Sequence, residues 1–195
     1  MAGRRAGAGL GLAAVALTAA GCLGGGGTKT VTVTHTQTIT STRTVTTTGS
    51  VGSAKPCSGT QLAGAFAVIP NSSGAGQIAY ALTVKNSSQS VCSVRGTPKG
   101  TLLGASGTTL PTQVKAVGGG GKEIVLPPGA SAMAQAQFSP DVAGDGDSQS
   151  GVCQPQAHTF QLDAEGGGVS EMPIRPPTSV CERGTLKFDP FGYAG

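Results

Sequence analysis

The groups in this chain whose types and spacing can do chemistry are five cysteines, two histidines and one short acidic stretch. Cys22 closes the run Leu17-Thr18-Ala19-Ala20-Gly21-Cys22. The small side chains before it let a peptidase reach the backbone, and its thiol is a nucleophile able to accept a lipid. The other four, Cys57, Cys92, Cys153 and Cys181, are even in number and contain no Cys-x-x-Cys pair. They read as two disulfides of an exported domain and not as a zinc ribbon or a thioredoxin-like site, with three connectivities open. Asp141, Asp145 and Asp147 lie among glycines and have the oxygens to gather a calcium ion, but EF-hand spacing and its terminal Glu are absent. A solvated acidic loop is expected there. His158 is the only histidine after residue 35, and neither Gly-x-Ser-x-Gly nor Ser-x-x-Lys occurs to supply it with a nucleophile, so a structural role at a strand edge is expected. His35 reads as a lone solvated residue. In Gly118-Gly119-Gly120-Gly121-Lys122 the first glycine of a phosphate loop is replaced by Ala116 and its Ser/Thr by Glu123, which leaves a flexible hairpin loop. Asn71 and Asn86 sit in Asn-x-Ser sequons, which alone carry little functional weight. No catalytic residue, metal ligand or cofactor is expected.

The elements that position these groups begin with a targeting segment. Arg4 and Arg5 form a positive start, and residues 6–20 are apolar and small. That order is a signal peptide's, and the run is shorter than the roughly 20 residues of a membrane span. Its end resembles the bacterial lipobox, departing from the commonest form in having Ala19 where Leu is usual. The resemblance implies cleavage after Gly21 and a lipid on Cys22 that anchors the chain to the membrane; the Sec route is expected because Arg4 and Arg5 lack the apolar residues that usually follow in a Tat signal. The alternative is an ordinary secretory signal with a chance cysteine.

Residues 28–50 alternate Thr with Val, His, Gln, Ile and Arg. Such alternation favours extended backbone, yet no apolar face accumulates, so a disordered Thr-rich stalk is expected in preference to a β-rich adhesive repeat. The division is then 1–21 signal peptide, 22–56 lipidated cysteine and stalk, and 57–195 a folded domain. Of 13 Lys and Arg, Arg4, Arg5, Lys29 and Arg43 lie in the signal and the Thr-rich tract, and from Lys55 onward nine Lys and Arg balance nine Asp and Glu. Counterion release needs a concentrated basic face, so nucleic acid is not an expected partner.

Short alternating stretches separated by Gly, Pro, Asn and Ser mark the domain as all-β. Strands are expected at 62–69, 78–84, 102–103, 123–126, 131–138, 159–162, 172–174 and 185–188. Ile78, Tyr80, Leu82 and Val84 share one face, as do Ala132, Ala134, Ala136 and Phe138. Phe66, Tyr80, Phe138, Phe160 and Phe188 fall one to a strand at core-facing phase, as in the interior of a sandwich.

A family resemblance follows from the order of the signals: Cys57, then Leu82-Thr83-Val84-Lys85-Asn86-Ser87-Ser88, Cys92-Ser93-Val94-Arg95-Gly96-Thr97-Pro98, Leu102-Leu103-Gly104-Ala105-Ser106-Gly107 and Leu126-Pro127-Pro128-Gly129-Ala130-Ser131-Ala132. This order resembles domain of unknown function 4232 over residues 57–189, with departures at Thr97 and at the glycine run 118–121. The resemblance implies a single immunoglobulin-like antiparallel β-sandwich of exported actinobacterial lipoproteins, with no established activity. If consecutive strands pair antiparallel, Cys57 meets Cys92 and Cys153 meets Cys181. The runner-up joins Cys57 to Cys181 and Cys92 to Cys153, with first and last strands side by side. The function expected is that of a non-enzymatic module held outside the cytoplasm, touching an envelope polymer or protein. The alternative is a small hydrolase or metal-handling lipoprotein using His158 and the 141–147 loop.

Overall fold

The computed structural model describes residues 54–194. The signal segment 1–21, Cys22 and the Thr-rich tract 28–50 lie outside the described residues. The regular structure of the folded unit is nearly all strand, as expected: β1 Leu62–Val68, β2 Ile78–Asn86, β3 Cys92–Val94, β4 Gly100–Leu103, β5 Gln113–Ala116, β6 Ile124–Leu126, β7 Ser131–Phe138, β8 Ala157–Asp163, β9 Val169–Thr178, β10 Thr185–Phe188 and β11 Gly192–Tyr193. The larger sheet runs β4-β8-β9-β1-β2-β7-β10-β5, with β11 on β7, and β3 pairs with β6 in a smaller one. Ala54, Lys55 and Pro56 belong to the folded unit, since Ser93 donates its N–H to Lys55 and its hydroxyl to Ala54.

One distance shows that the larger sheet curls on itself. From β8 to β10 is five strand steps, which in a flat sheet would span about 24 Å at roughly 4.8 Å each. The rings of Phe160 on β8 and Phe188 on β10 are instead 5.6 Å apart. The two ends of the sheet therefore face each other across one core, in a barrel-like enclosure. Phe66 on β1 sits at its centre, 5.3 Å from Tyr80, 5.7 Å from Phe160 and from Phe188, and 6.4 Å from Phe138. The inward phases read from the sequence hold, with Tyr80, Leu82 and Val84 on β2 and Ala132, Ala134, Ala136 and Phe138 on β7 all buried.

Pairing is mixed where the sequence pattern suggested antiparallel strands throughout. β1 runs antiparallel to β2 but parallel to β9, and β5 runs parallel to β10. Both parallel pairs join strands distant in sequence, for which the long crossover that parallel neighbours need is available. They also close the curl: β1 is a hairpin partner on one side and the seam to the β8–β9 hairpin on the other.

Candidate functional site

Each cysteine after residue 54 is bonded: Cys57 to Cys92, with Cα atoms 4.9 Å apart, and Cys153 to Cys181, at 5.5 Å. Hairpin register brings each pair together. Leu62 faces Asn86, so the residues before β1 meet those after β2, and Ala157 faces Thr178, doing the same for β8 and β9. The first bond is part of the hydrophobic core cluster, and the second lies outside it.

The acidic stretch is not the uniformly solvated loop that its composition suggests. Asp141 and Asp145 are exposed, but Asp147 is only 8% exposed. Its Oδ1 accepts from Gln154 Nε2 at 2.7 Å and from the Arg183 N–H at 2.8 Å. Its Oδ2 accepts from the N–H groups of Gly144 and Glu182. The correction has a physical cause: two of its four partners lie 35 and 36 residues away, where no local pattern points to them. Desolvation pushes this carboxyl upward, but the hydrogen bonds from Gln154, Gly144, Arg183 and Glu182 outweigh it and hold the pKa at about 2.

The partners of Asp147 are donated by an unusual turn. Glu182 and Arg183 take left-handed backbone, with φ of 53° and 57°, and Gly184 follows at 76°. For residues with a Cβ such a conformation costs about 1–2 kcal/mol each. Here it aims two consecutive N–H groups at one carboxylate, which is the geometry that offsets the cost. At Gly184 only glycine fits, because a Cβ would stand 1.8 Å from the Pro111 carbonyl oxygen.

Asp147→Asn is expected to destabilise the domain by about 2–3 kcal/mol, since one face of the amide turns an NH2 toward backbone N–H donors. The pH dependence has a definite sign. The folded carboxyl titrates at about 2, below the usual value of about 3.9 in an unfolded chain. Its stabilising contribution is therefore complete above about pH 4 and is lost as pH falls through about 2. Urea denaturation from pH 5 to pH 2 should show the gap between wild type and Asp147→Asn closing at the acid end. A constant gap would contradict this role.

Asp147, Cys153 and Cys181 form the one cluster of potential metal ligands among the described residues, their ligand atoms within 4.8 Å of one another. As arranged, it is no cation cradle. Both sulfurs are spent in a disulfide, and the carboxylate faces four N–H donors whose positive ends would repel a cation. His158 lies half-buried at the bulge between Ala157 and Thr159, and no hydrogen bond links it to Asp141, Asp145 or Asp147. The glycine run 118–121 connects β5 to β6, so the helix that follows a phosphate loop is a strand here.

Sequence reasoning passed over a second buried polar residue. Asn86 is fully buried at the end of β2. Its Nδ2 donates to the carbonyls of Ser90 at 2.7 Å and Leu126 at 2.8 Å, and its Oδ1 accepts from the Ser88 N–H and hydroxyl. Its sequon is thus consumed in joining the loop after β2 to the end of β6. Asn71, the other sequon, is exposed in the β1–β2 loop. The signal for Asn86 was present: it occupies the next inward position after Ile78, Tyr80, Leu82 and Val84.

An apolar cleft opens beside the Cys57–Cys92 bond, floored by Leu62, Val94, Leu162 and Phe191 and edged by an ion pair of Arg95 with Glu165 at 3.2 Å. Its volume is about 40 Å³, against the roughly 300–1,000 Å³ of ordinary ligand pockets. It has room for a small side chain at most.

The model of one family, the domain of unknown function DUF4232, matches residues 57–191. No curated protein and no solved structure matches the chain.

Proposed function

The chain belongs to the DUF4232 family, and on that premise we propose that it is a lipid-anchored, extracytoplasmic protein whose β domain is a non-enzymatic binding or structural module of the cell envelope. One observation carries the reading. The domain's four cysteines are all paired, while the fifth, Cys22, follows Leu17-Thr18-Ala19-Ala20-Gly21 behind a charged and then apolar start. Paired cysteines suit an oxidising compartment, and the remaining thiol stands where a lipid is attached. A single acyl group anchors weakly, so stable anchoring needs the multiply acylated cysteine that such processing yields.

The reading of the domain as a module without chemistry of its own rests on how its polar groups are used. Asp147 is a weak base at a pKa of about 2, Asn86 is saturated, and His158 has no carboxylate bonded to it. What the domain offers a partner is surface. The outward side of β1 and β2 bears Ala63, Ala65, Ala67, Ala81 and Thr83, none fully buried, and suits a flat contact with an envelope polymer or protein. Nucleic acid remains an unsuitable partner, with nine cations balancing nine anions after residue 54. The hydrolase or metal-handling alternative would need His158 and the 141–147 loop to converge, and their geometry gives it no support.

Cys22→Ala tests the anchor. Wild-type protein should enter the detergent phase of a cloud-point extraction, and the variant should accumulate unprocessed or in the aqueous fraction. Unchanged partitioning of a variant that is also cleaved to the mature size would refute the anchor. If the anchor holds, capture of the lipidated protein with its native envelope is the route to the partner.

A further inference from the structure

Residues 139–156 form a long connection between β7 and β8, and none of them belongs to the hydrophobic core cluster. The segment's hydrogen bonds and covalent link to the rest of the domain converge on residues 179–183, and Val142 also lies against Gly76 of the β1–β2 loop. Ser179 donates its hydroxyl to the Gln154 carbonyl, and Cys181 donates its N–H to the Ser139 carbonyl. Glu182 and Arg183 donate their N–H groups to Asp147, and Cys181 is bonded to Cys153. Gly144 and Gly146 lie so close against Glu182 and Arg183 that a Cβ on either would come within 3 Å of those side chains. A mostly polar segment whose hydrogen bonds gather at one point, and which adds no residue to the hydrophobic core cluster, is a unit able to open without the sheet.

We propose that the Cys153–Cys181 disulfide and Asp147 make a redox-sensitive clamp that holds residues 139–156 on the left-handed turn, and that a dithiol opens it while the sheet stays folded. The disulfide fixes Cys181 at the start of the turn, and the carboxylate fixes the next two residues. With the covalent link gone, Glu182 and Arg183 are free to return to right-handed backbone, which withdraws their N–H groups from Asp147 and releases the glycine-containing segment. The chemistry is thiol–disulfide exchange. A thiolate of the dithiol attacks Sγ of Cys153, the less buried residue of the pair at 5% exposed against 0%, forming a mixed disulfide and expelling Cys181 as a thiolate. The second thiol of the reagent then attacks its own bound sulfur and frees Cys153. Two electrons pass from dithiol to protein, two thiols form on the protein, and the reagent leaves as its cyclic disulfide.

The other disulfide supplies the contrast. Cys57 and Cys92 are in the core cluster, each 1% exposed, and backbone bonds lace their surroundings: Cys57 N–H to Ser93, Ser93 N–H to Lys55 and Gly166 N–H to Cys57. Reaching that bond requires the sheet itself to open. Release of the clamp would also remove a wall of the polar groove lined by Gln113, Lys115, Gly144, Asp145, Glu182, Arg183 and Thr185 beside edge strand β5.

The test uses the intact oxidised chain under native conditions, with graded dithiothreitol and differential alkylation of each cysteine. Cys153–Cys181 should be reduced at a dithiol concentration about tenfold or more below that needed for Cys57–Cys92. At that point near-ultraviolet circular dichroism should be retained, and an Asp/Glu-specific protease should newly cut at Asp141 or Asp145. The double variant Cys153→Ser with Cys181→Ser should fold and show the same cleavage without reductant. Simultaneous reduction of both bonds, equal cleavage before and after reduction, no cleavage after selective reduction, or failure of the double variant to fold would each overturn the clamp.

Discussion

Phe66→Ala is expected to lower the unfolding free energy by about 4 kcal/mol, within the roughly 3–5 kcal/mol range for deleting a buried phenylalanine ring. The reason is topological as much as volumetric. Phe66 touches Tyr80 and Phe138 from the β2–β7 side and Phe160 and Phe188 from the two facing ends of the curled sheet. It is wholly buried, so the cavity its removal leaves is lined by aromatic rings that cannot move inward without shifting strands. For a domain with about 5–15 kcal/mol of stability this is a large fraction. The measurement is a urea midpoint that falls with an unchanged denaturant slope. A loss under about 1 kcal/mol would mean that the ring does not bridge the two ends of the sheet.

Asn86→Asp is expected to cost about 3 kcal/mol, although it keeps shape and one acceptor oxygen. The substitution replaces both amide donors with an acceptor, so the carbonyls of Ser90 and Leu126 lose their partner and meet a second oxygen. Asn86 is fully buried, so water does not screen the new charge. Asn86→Ala should cost slightly less, because the orphaned carbonyls remain but no charge is buried. The order of these two variants is the informative result. Equal stability of Asn86→Asp and wild type would show that the amide donors hold nothing, and would remove the explanation for a buried asparagine at the end of β2.

The part of the fold legible in the sequence is its long, half-buried strands. β2 and β7 alternate cleanly because one side of each faces the core, and the aromatic phases followed from the same alternation. The strands it hid are short. β3 buries all three of its residues and so has no alternation to read, β5 is an edge of four residues with only Val114 half-buried, and β11 has two residues. The parallel seam between β1 and β9 is a property of how the sheet closes, which no local pattern encodes. The same division separates the polar residues. Asn86 was legible as a polar residue at a core phase. Asp147 was not, because its role is fixed by the backbone of Glu182 and Arg183, and a left-handed turn built on residues other than glycine leaves no mark at its first two positions.

Lipidation of Cys22 is tested most directly by the intact mass and N-terminal peptide of the mature protein purified from its native envelope. The predicted result is a chain that begins at Cys22, lacks residues 1–21, and carries the added mass of a lipid on that cysteine. A mature chain that still begins at Met1, or one whose Cys22 is unmodified, would contradict the reading of an anchored extracytoplasmic module.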